Sequence, residues 1–205
     1  MKVLAMLLVV ASVASSETSL AAFGYQWGVI DAADWNVVRG KSEVLELLHA
    51  RGPLPGRRRP VQFALANTAA FSRVTVEADV RPNQRSLILV FAYQDPAHFN
   101  YAHLSIDTGV KEPAHNGIFH IFGGERVRIS SQAGPAAFSA TGRWYHVILR
   151  HDGATGNVQV SVDGQAVPAL HAVDLSLSSG KIGLGSFDET GDFKNVTISG
   201  VRPAR

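Results

Sequence analysis

A strict alternation of apolar and polar residues between Arg73 and Arg81 restricts the fold of this chain more than any other pattern in it. Val74, Val76, Ala78 and Val80 occupy every second position, and the residues between them are polar or charged. A period of two is typical of a β-strand with one buried face. No stretch of comparable length has a sustained helical period. The sequence therefore predicts an all-β protein.

Similar runs follow one another and predict about ten short strands, which is typical of a sandwich or a barrel. Gly123-Gly124 and Asp163-Gly164 separate neighbouring runs and predict two-residue hairpin turns. Ser86–Tyr93 is apolar almost throughout, which indicates a strand covered on both faces. The other predicted strands are Trp35–Arg39, Glu43–Leu48, Asn100–Asp107, Gly117–Phe122, Arg126–Ser130, Trp144–Arg150, Val158–Val162, Lys181–Phe187 and Phe193–Val201.

Size and composition fit one globular domain. The chain has 205 residues, 46% of them hydrophobic, which is enough for a core without disulfides. It has no cysteine, so thiolate chemistry is excluded. The formal net charge is only +2, which argues against a nucleic-acid partner.

The N-terminus has the pattern of a signal peptide. Lys2 precedes the apolar run Val3–Ala11, and Ser12-Val13-Ala14 offers small residues to a signal peptidase. A later cut near Ala21 or Ala22 is the alternative. The run is too short for a stable membrane span, which needs about 20 residues. We expect a signal peptide over residues 1–22, a domain over residues 23–205, and a secreted or periplasmic protein.

Several stretches in a fixed order carry a family resemblance. They are Ser86–Asp107, Trp144–Arg150, Gly156–Gly164, Gly180–Phe187 and Asp192–Val196. Together they resemble the concanavalin A-like lectin/glucanase superfamily, the laminin-G-like jelly rolls. The nearer likeness is to secreted bacterial domains similar to the 3-keto-disaccharide hydrolase domain.

The resemblance covers Gln62–Gly200 and implies an antiparallel jelly-roll sandwich of two sheets. In such a fold Trp144 would fill the end of the core, and Gly183 and Gly185 would let one strand pass close to its neighbour. The superfamily includes lectins, glycanases, lyases and adhesion modules, so the fold alone does not give the activity.

Glycanases of this superfamily resemble one another in a strand motif of the form E-x-D-x-x-E. Glu77 and Asp79 match its first two carboxylates, but Pro82 stands where the third is expected. A solvated strand face is the better interpretation of this pair.

The middle of the chain is rich in histidine and predicts a site. Rings and amides at close spacing could stack on a sugar and bond its hydroxyl groups, and His with Asp could transfer a proton or bind a metal. The residues predicted to bind a ligand are Gln94, His98, Tyr101, His103, His115, Asn116 and His120. The candidates for catalysis are His103, His115, Asp95 and Asp107.

Two loops offer weaker patterns. Asp188 and Asp192 are oxygen ligands that could hold Ca²⁺, as similar jelly rolls do near the last strand, although Lys194 stands where relatives often have Asp. The run Arg57-Arg58-Arg59 could meet an anionic glycan or a carboxylate, or could be a solvated loop.

Two main function classes remain open, and a structural or adhesion module without a sugar site is a third possibility. The first is a carbohydrate-binding or glycan-interaction domain whose partner is a glycan or small saccharide. The alternative is a glycoside-acting hydrolase or lyase, with His103 or His115 transferring a proton and Asp95 or Asp107 as its partner. The first is preferred, because spacing assembles no complete catalytic constellation.

Overall fold

The computed structural model describes residues 18–53, 55–56 and 58–204, which form fifteen strands and one short 3-10 helix, Ala32–Asp34. Most of the predicted signal peptide and Arg57 of the basic run lie outside these residues. The strands are β1 (Thr18–Ala22), β2 (Tyr25–Val29), β3 (Trp35–Arg39), β4 (Glu43–Leu47), β5 (Gln62–Ala66), β6 (Arg73–Pro82), β7 (Ser86–Asp95), β8 (His98–Ser105), β9 (Gly117–Phe122), β10 (Glu125–Arg128), β11 (Tyr145–Asp152), β12 (Asn157–Val162), β13 (Gln165–Val173), β14 (Lys181–Ser186) and β15 (Gly191–Val201).

The strands form two antiparallel sheets, which confirms the predicted sandwich with a jelly-roll architecture. The eight-stranded sheet has the order β1-β2-β5-β14-β7-β8-β9-β10, and the seven-stranded sheet has the order β13-β12-β11-β6-β15-β4-β3. β15 pairs with both β4 and β6, so the last strand returns to early ones. Within the described residues, no helix is long and apolar enough to cross a membrane.

The core between the sheets is built by period-two patterning. Val74, Val76, Ala78 and Val80 of β6 are at most 2% exposed and belong to this core. Burial of a valine side chain contributes about 1.5–3 kcal/mol to stability. The apolar residues of β6 therefore determine which face of this strand points into the core.

The expectation that Trp144 fills the end of the core is wrong. Trp144 is half-buried, and its ring packs against two cations, the guanidinium of Arg81 at 4.8 Å from the ring centroid and the ammonium of Lys194 at 4.2 Å. The next residue, Tyr145, is 2% exposed and packs against Phe138 in the core. Trp144 directly precedes β11, and neighbouring residues of an extended chain point to opposite faces of the sheet. Only one of the rings of Trp144 and Tyr145 can therefore face the core.

The structure contains strands that the sequence pattern did not reveal. β1 and β2 extend the eight-stranded sheet and precede the region of the resemblance, β5 lies at its start, and β13 completes the hairpin that follows Asp163-Gly164. β1 lies within the segment 1–22 and pairs along its whole length with β2. A cut near Ala22 would therefore remove an edge strand, whereas a cut near Ala14 would keep it.

The eight-stranded sheet is covered on both faces at its centre. On β7, Leu87, Leu89 and Phe91 belong to the core between the sheets, whereas Ile88 and Val90 belong to a second apolar cluster. Because side chains alternate along a strand, this second cluster lies on the outer face of the sheet. The candidate site is built on that outer face.

Candidate functional site

Two adjoining cavities open on the outer face of the eight-stranded sheet. The first, here called the aromatic cavity, has a volume of about 670 Å³ and is lined by Phe63, Tyr93 and Phe99 among other residues. The second, here called the basic cavity, has a volume of about 730 Å³ and includes Arg58 and Arg126 in its wall. Arg59 and Pro96 line both cavities. We call the two cavities together the groove.

A β-bulge at Ala92 brings Tyr93 into the groove. Lys181 of β14 pairs with Tyr93 but Gly183 pairs with Val90, so β7 has one extra residue at this point. Ala92 takes the left-handed conformation, with φ of 49°. Without the extra residue, alternation would turn Tyr93 toward the core. The bulge instead places its ring among the outer-face aromatics.

The aromatic rings of the groove support one another. The centroid of Phe63 lies 5.7 Å from that of Tyr93 and 5.6 Å from that of Phe99, and Tyr93 and Phe99 are also 5.7 Å apart. Phe99 is 1% exposed, whereas Phe63 and Tyr93 are half-buried. Phe99 therefore forms the base of the trio, and the other two rings present surface to the cavity.

Glycines of β14 make room for these rings. A β-carbon on Gly183 would lie 3.3 Å from the ring of Phe63, and one on Gly185 would lie 2.3 Å from the carbonyl oxygen of Gln62. The expected close passage of β14 and its neighbour is confirmed. A side chain at either position would displace β5 or its aromatic ring.

Arg59 stands where the two cavities meet. It is 7% exposed, and its Nη1 atom is close to the Gly123-Gly124 turn, 3.0 Å from where a β-carbon of Gly124 would stand. Among the described residues, none forms a hydrogen bond or an ion pair with its side chain. Both turn glycines have positive φ, at 61° and 86°, which confirms the predicted hairpin turn.

Arg126 closes the far end of the groove. Its guanidinium lies 3.9 Å from the centroid of Phe119 and donates to the Tyr101 hydroxyl and to the Ala114 carbonyl oxygen, both at 2.6 Å. Because Nε and Nη2 both donate to groups inside the protein and the guanidinium packs on an aromatic ring, this side chain is held in place.

The predicted histidines lie in two groups on opposite faces of the sheet. His103 and His115 are adjacent, with ring centroids 4.8 Å apart, and His103 follows the outer-face parity of Tyr101. His120 pairs in register with Asn100 and faces the other way, toward the core, where it lies 3.1 Å from Asp174. The prediction of a single site from these histidines does not match this arrangement, because the register between β8 and β9 determines which face of the sheet each ring occupies.

His103 and His115 are enclosed in polar contacts. Nδ1 of His103 lies 3.0 Å from the Ala114 carbonyl oxygen, and Nε2 lies 2.9 Å from the Ser86 hydroxyl, which also contacts Glu189 at 2.8 Å. Burial, the nearby His115 and Arg126 lower the pKa of His103 well below its ordinary value. His103 is 1% exposed, so both its ring nitrogens are occupied by contacts inside the protein and neither faces the solvent.

Asp107 and the pair Asp95–His98 are also engaged locally. Lys111 donates to Asp107 at 2.6 Å and lowers the pKa of this carboxyl group, and His115 lies 3.5 Å from it. The hydrogen bond with His98, at 2.9 Å, lowers the pKa of Asp95 in the same way. Asp95 lines the basic cavity, whereas Asp107 does not.

Tyr101 and Asn116 are placed in the interior, which corrects their expected position on a binding face. Tyr101 is 0% exposed, burial raises its pKa, and its hydroxyl is bound by Arg126. Asn116 is 0% exposed, and its side chain donates to the Pro135 carbonyl oxygen and accepts from the Ala137 amide, which holds that loop in place. Both residues shape the fold beneath the groove. Gln94 is exposed and donates to the Ser179 carbonyl oxygen.

The candidate calcium residues do not converge. Asp192 is 3% exposed and paired with Arg81, and burial raises its pKa, whereas Asp188 is exposed. Across residues 18–53, 55–56 and 58–204, no group of three or more acidic or histidine side chains could hold a metal ion.

Glu77 and Asp79 lie on the outer face of the seven-stranded sheet, on the far side of the sandwich from the groove. His146 lies 3.4 Å from Glu77 and 3.0 Å from Asp79, and Asn195 donates to Asp79 at 2.7 Å. The pair thus forms part of a partly solvated network on that sheet.

The groove residues were mostly missed from the sequence. Phe63 lies in β5, a strand that was not predicted, and Tyr93 lies in the region of the resemblance but was not predicted to bind a ligand. The alternation of Gln62–Ala66 could have indicated β5 and an outward-facing Phe63. The sequence showed Arg59 only as part of a basic run, without a sign that it is buried.

Comparison with known proteins identifies the fold. The sequence matches no protein-family model and no curated protein. Carbohydrate-binding module CBM66 from Bacillus subtilis is 20% identical over 81% of this chain and 95% of its own, with a TM-score of 0.56. A protein with a proposed glycosyl hydrolase assignment from Parabacteroides distasonis ATCC 8503 is 14% identical over 83% of this chain and 92% of its own, with a TM-score of 0.57.

A third structure, a sialidase from Trypanosoma rangeli, is 15% identical, covers 88% of this chain and 28% of its own, and has a TM-score of 0.53. At these identities the similarities establish a shared fold, a two-sheet jelly-roll sandwich of the kind that the sequence indicated.

Proposed function

We propose that this chain is an exported, non-catalytic saccharide-binding domain that holds its ligand in the groove. The arrangement of Phe63 and Tyr93 carries the proposal. Their half-buried rings lie side by side in a cavity of about 670 Å³, a volume typical of small-molecule sites. Flat apolar rings suit the apolar faces of a sugar, and packing of this kind provides much of the binding energy at aromatic sites.

Polar groups at the edge of the rings would supply orientation. Lys181 and Asn67 line the aromatic cavity, and Arg59 connects it to the basic cavity. Ammonium, amide and guanidinium groups donate hydrogen bonds to hydroxyl oxygens, and the amide also accepts them. A few such groups around an apolar floor are the usual composition of a specific small-molecule site.

The structural neighbours support this class of function. One is a carbohydrate-binding module that matches 81% of this chain, and another has a proposed glycosyl hydrolase assignment. A shared fold does not show that this chain has the same function, so saccharide binding is inferred from the residues of its own groove.

The alternative, a glycoside-acting enzyme, has one observation in its favour: His115 is adjacent to Asp107 and His103. The geometry favours binding over catalysis, because His103 uses both nitrogens internally and Asp107 is held by Lys111. A proton-transfer group must be able to reach the reacting atom of a substrate.

One experiment separates the two functions. The purified protein is tested on an array of neutral and acidic oligosaccharides, and every oligosaccharide that binds is then incubated with the protein and examined for new reducing ends or unsaturated products. We expect retention without product. Product formation that His115→Ala abolishes would establish the enzyme, and the absence of binding to any saccharide would overturn the proposed function.

A further inference from the structure

Arg59 is a buried cation in need of a partner. It is 7% exposed, and no described residue neutralises it or accepts a hydrogen bond from its side chain. The burial of an unpaired charge costs several kcal/mol in proteins, so such groups are normally paired. Because Arg59 lines both cavities, an incoming group can reach it from the groove.

The other arginines of the groove are either bonded within the protein or exposed. Arg51 is already bonded to Asp31 and Asp34, and Arg126 is bonded to Tyr101 and Ala114. Arg58 is exposed, as is Glu125 across the basic cavity. An exposed charge is largely satisfied by water, whereas Arg59 presents little surface for water to reach.

The Gly123-Gly124 turn keeps the guanidinium accessible. A β-carbon at Gly124 would lie 3.0 Å from Nη1 of Arg59, and Gly124 itself lines the basic cavity. The backbone therefore leaves an opening on the side of the guanidinium that faces the cavity. The planar donors of arginine match the two oxygens of a carboxylate in a bidentate arrangement.

We infer that the groove selects a saccharide carrying a carboxylate, with the sugar ring on Phe63 and Tyr93 and the carboxylate on Arg59. This inference rests on the proposed function, since it specifies the substrate class of the same groove. The two cavities share Arg59, so an acidic sugar at their junction would contact the rings and the guanidinium together. The paired charges would be shielded from solvent, which strengthens their attraction.

The first test needs no mutation. Acidic oligosaccharides containing uronic or sialic acid are compared on one array with their carboxyl-reduced counterparts and with sulfated and neutral oligosaccharides. We expect an acidic oligosaccharide to bind about ten- to a hundredfold more tightly than its reduced counterpart, the range for a charge-assisted contact. Equal binding of the two, or a preference for sulfated sugars, would overturn the inference and leave saccharide binding standing. A complete lack of binding would overturn both.

The second test uses a matched pair of variants. Arg59→Met and Arg150→Met remove the same charge, but Arg150 is exposed on the seven-stranded sheet, away from the groove. Arg59→Met should abolish the preference for the carboxylate while retaining affinity for the reduced sugar, and Arg150→Met should leave both unchanged. Arg59→Lys keeps the charge without the planar fork and should give an intermediate preference. An unchanged preference in Arg59→Met, or an equal loss in Arg150→Met, would contradict the inference.

Discussion

The rings of Phe63 and Tyr93 meet across β14, with centroids 5.7 Å apart and planes inclined by 69°. They come from β5 and β7, which lie on either side of β14, and the glycines of that strand leave the space between them free. The bulge at Ala92 turns the ring of Tyr93 outward, which links an irregularity of the backbone to the composition of the groove.

Removal of either groove ring should weaken saccharide binding. For Phe63→Ala and Tyr93→Ala we expect about a tenfold loss of affinity each, because an aromatic contact contributes about 0.5–1.5 kcal/mol beyond its buried area. Calorimetric titration with the best array ligand measures the loss. Trp144→Ala is the control, since this half-buried ring lies on the other sheet. A larger loss of affinity in Trp144→Ala than in the groove variants would mean that the saccharide binds to the seven-stranded sheet and would contradict the proposed site.

The bulge depends on Gly180. A β-carbon at this position would lie 2.2 Å from the carbonyl carbon of Ala92. We expect Gly180→Ala to lower the free energy of unfolding by about 2–3 kcal/mol, as overpacking does, and to weaken saccharide binding by displacing Tyr93. Gly40→Ala is the matched control, because no atom lies within 4 Å of its β-carbon position. Urea denaturation should separate the two variants, and equal stability would contradict the close packing.

Asn116 should act on stability and not on affinity. Its side chain donates to the Pro135 carbonyl oxygen at 2.9 Å and accepts from the Ala137 amide at 3.0 Å, and it holds a φ of 45°. Asn116→Gly keeps this backbone conformation but loses both hydrogen bonds, so we expect about 1–3 kcal/mol of destabilisation. Saccharide affinity of the folded variant should stay within about twofold. A large loss of affinity at unchanged stability would return Asn116 to the binding face.

Two buried histidines should make the fold sensitive to acid. Burial lowers the pKa of His103 and of His151 below 6.5, and neither ring nitrogen of His151 has a partner among the described residues. Below pH 6.5 these histidines become protonated in the unfolded chain but stay neutral in the folded one. The free energy of unfolding therefore decreases as the pH falls. Each histidine should contribute a slope of about 1.4 kcal/mol per pH unit between 6.5 and its folded pKa.

Urea titrations at pH 7.5, 6.0 and 5.0 measure this slope. His151→Leu should remove one contribution and be at least as stable as the parent at pH 7.5, since it deletes two unpaired polar atoms from the core. A flat profile in the parent protein, or an unchanged slope in the variant, would contradict the assignment of these histidines as neutral.

The position of β1 gives a prediction for processing. Ala22 is 3% exposed, and its carbonyl oxygen accepts a hydrogen bond from the Trp27 indole at 2.9 Å. Removal of residues 1–22 would leave that buried donor unpaired, which costs about 1–3 kcal/mol. We therefore predict export with cleavage before Thr18. Mass spectrometry of protein from a secreting host gives the N-terminus, and a chain beginning at Phe23 would contradict the prediction.

The fold was predictable because burial imposes a period on the sequence. The alternation in β6 and the turns at Gly123-Gly124 and Asp163-Gly164 depend only on local residues, and the structure confirms them. β1 and β2 were not predicted, because their short alternation follows a longer apolar run that has the pattern of a signal peptide.

The site was less predictable, since it depends on registers and bulges that a sequence does not reveal. The pairing of Tyr101 with Phe119 sends His120 to the core face, so parity within each strand could not show which rings share a side. The orientation of Tyr93 depends on one extra residue at Ala92, and no glycine or other turn residue at that point of the sequence predicts the bulge. The burial of Arg59 beside exposed Arg58 results from long-range packing.

Backbone amide and aromatic NMR spectra, recorded while the best acidic or neutral array saccharide is added, test the groove most directly. The account predicts that the largest shifts fall on Phe63, Tyr93, Lys181 and the Gly123-Gly124 turn, with the seven-stranded sheet unchanged. Shifts centred on Trp144 and His146, with none around Tyr93, would contradict it.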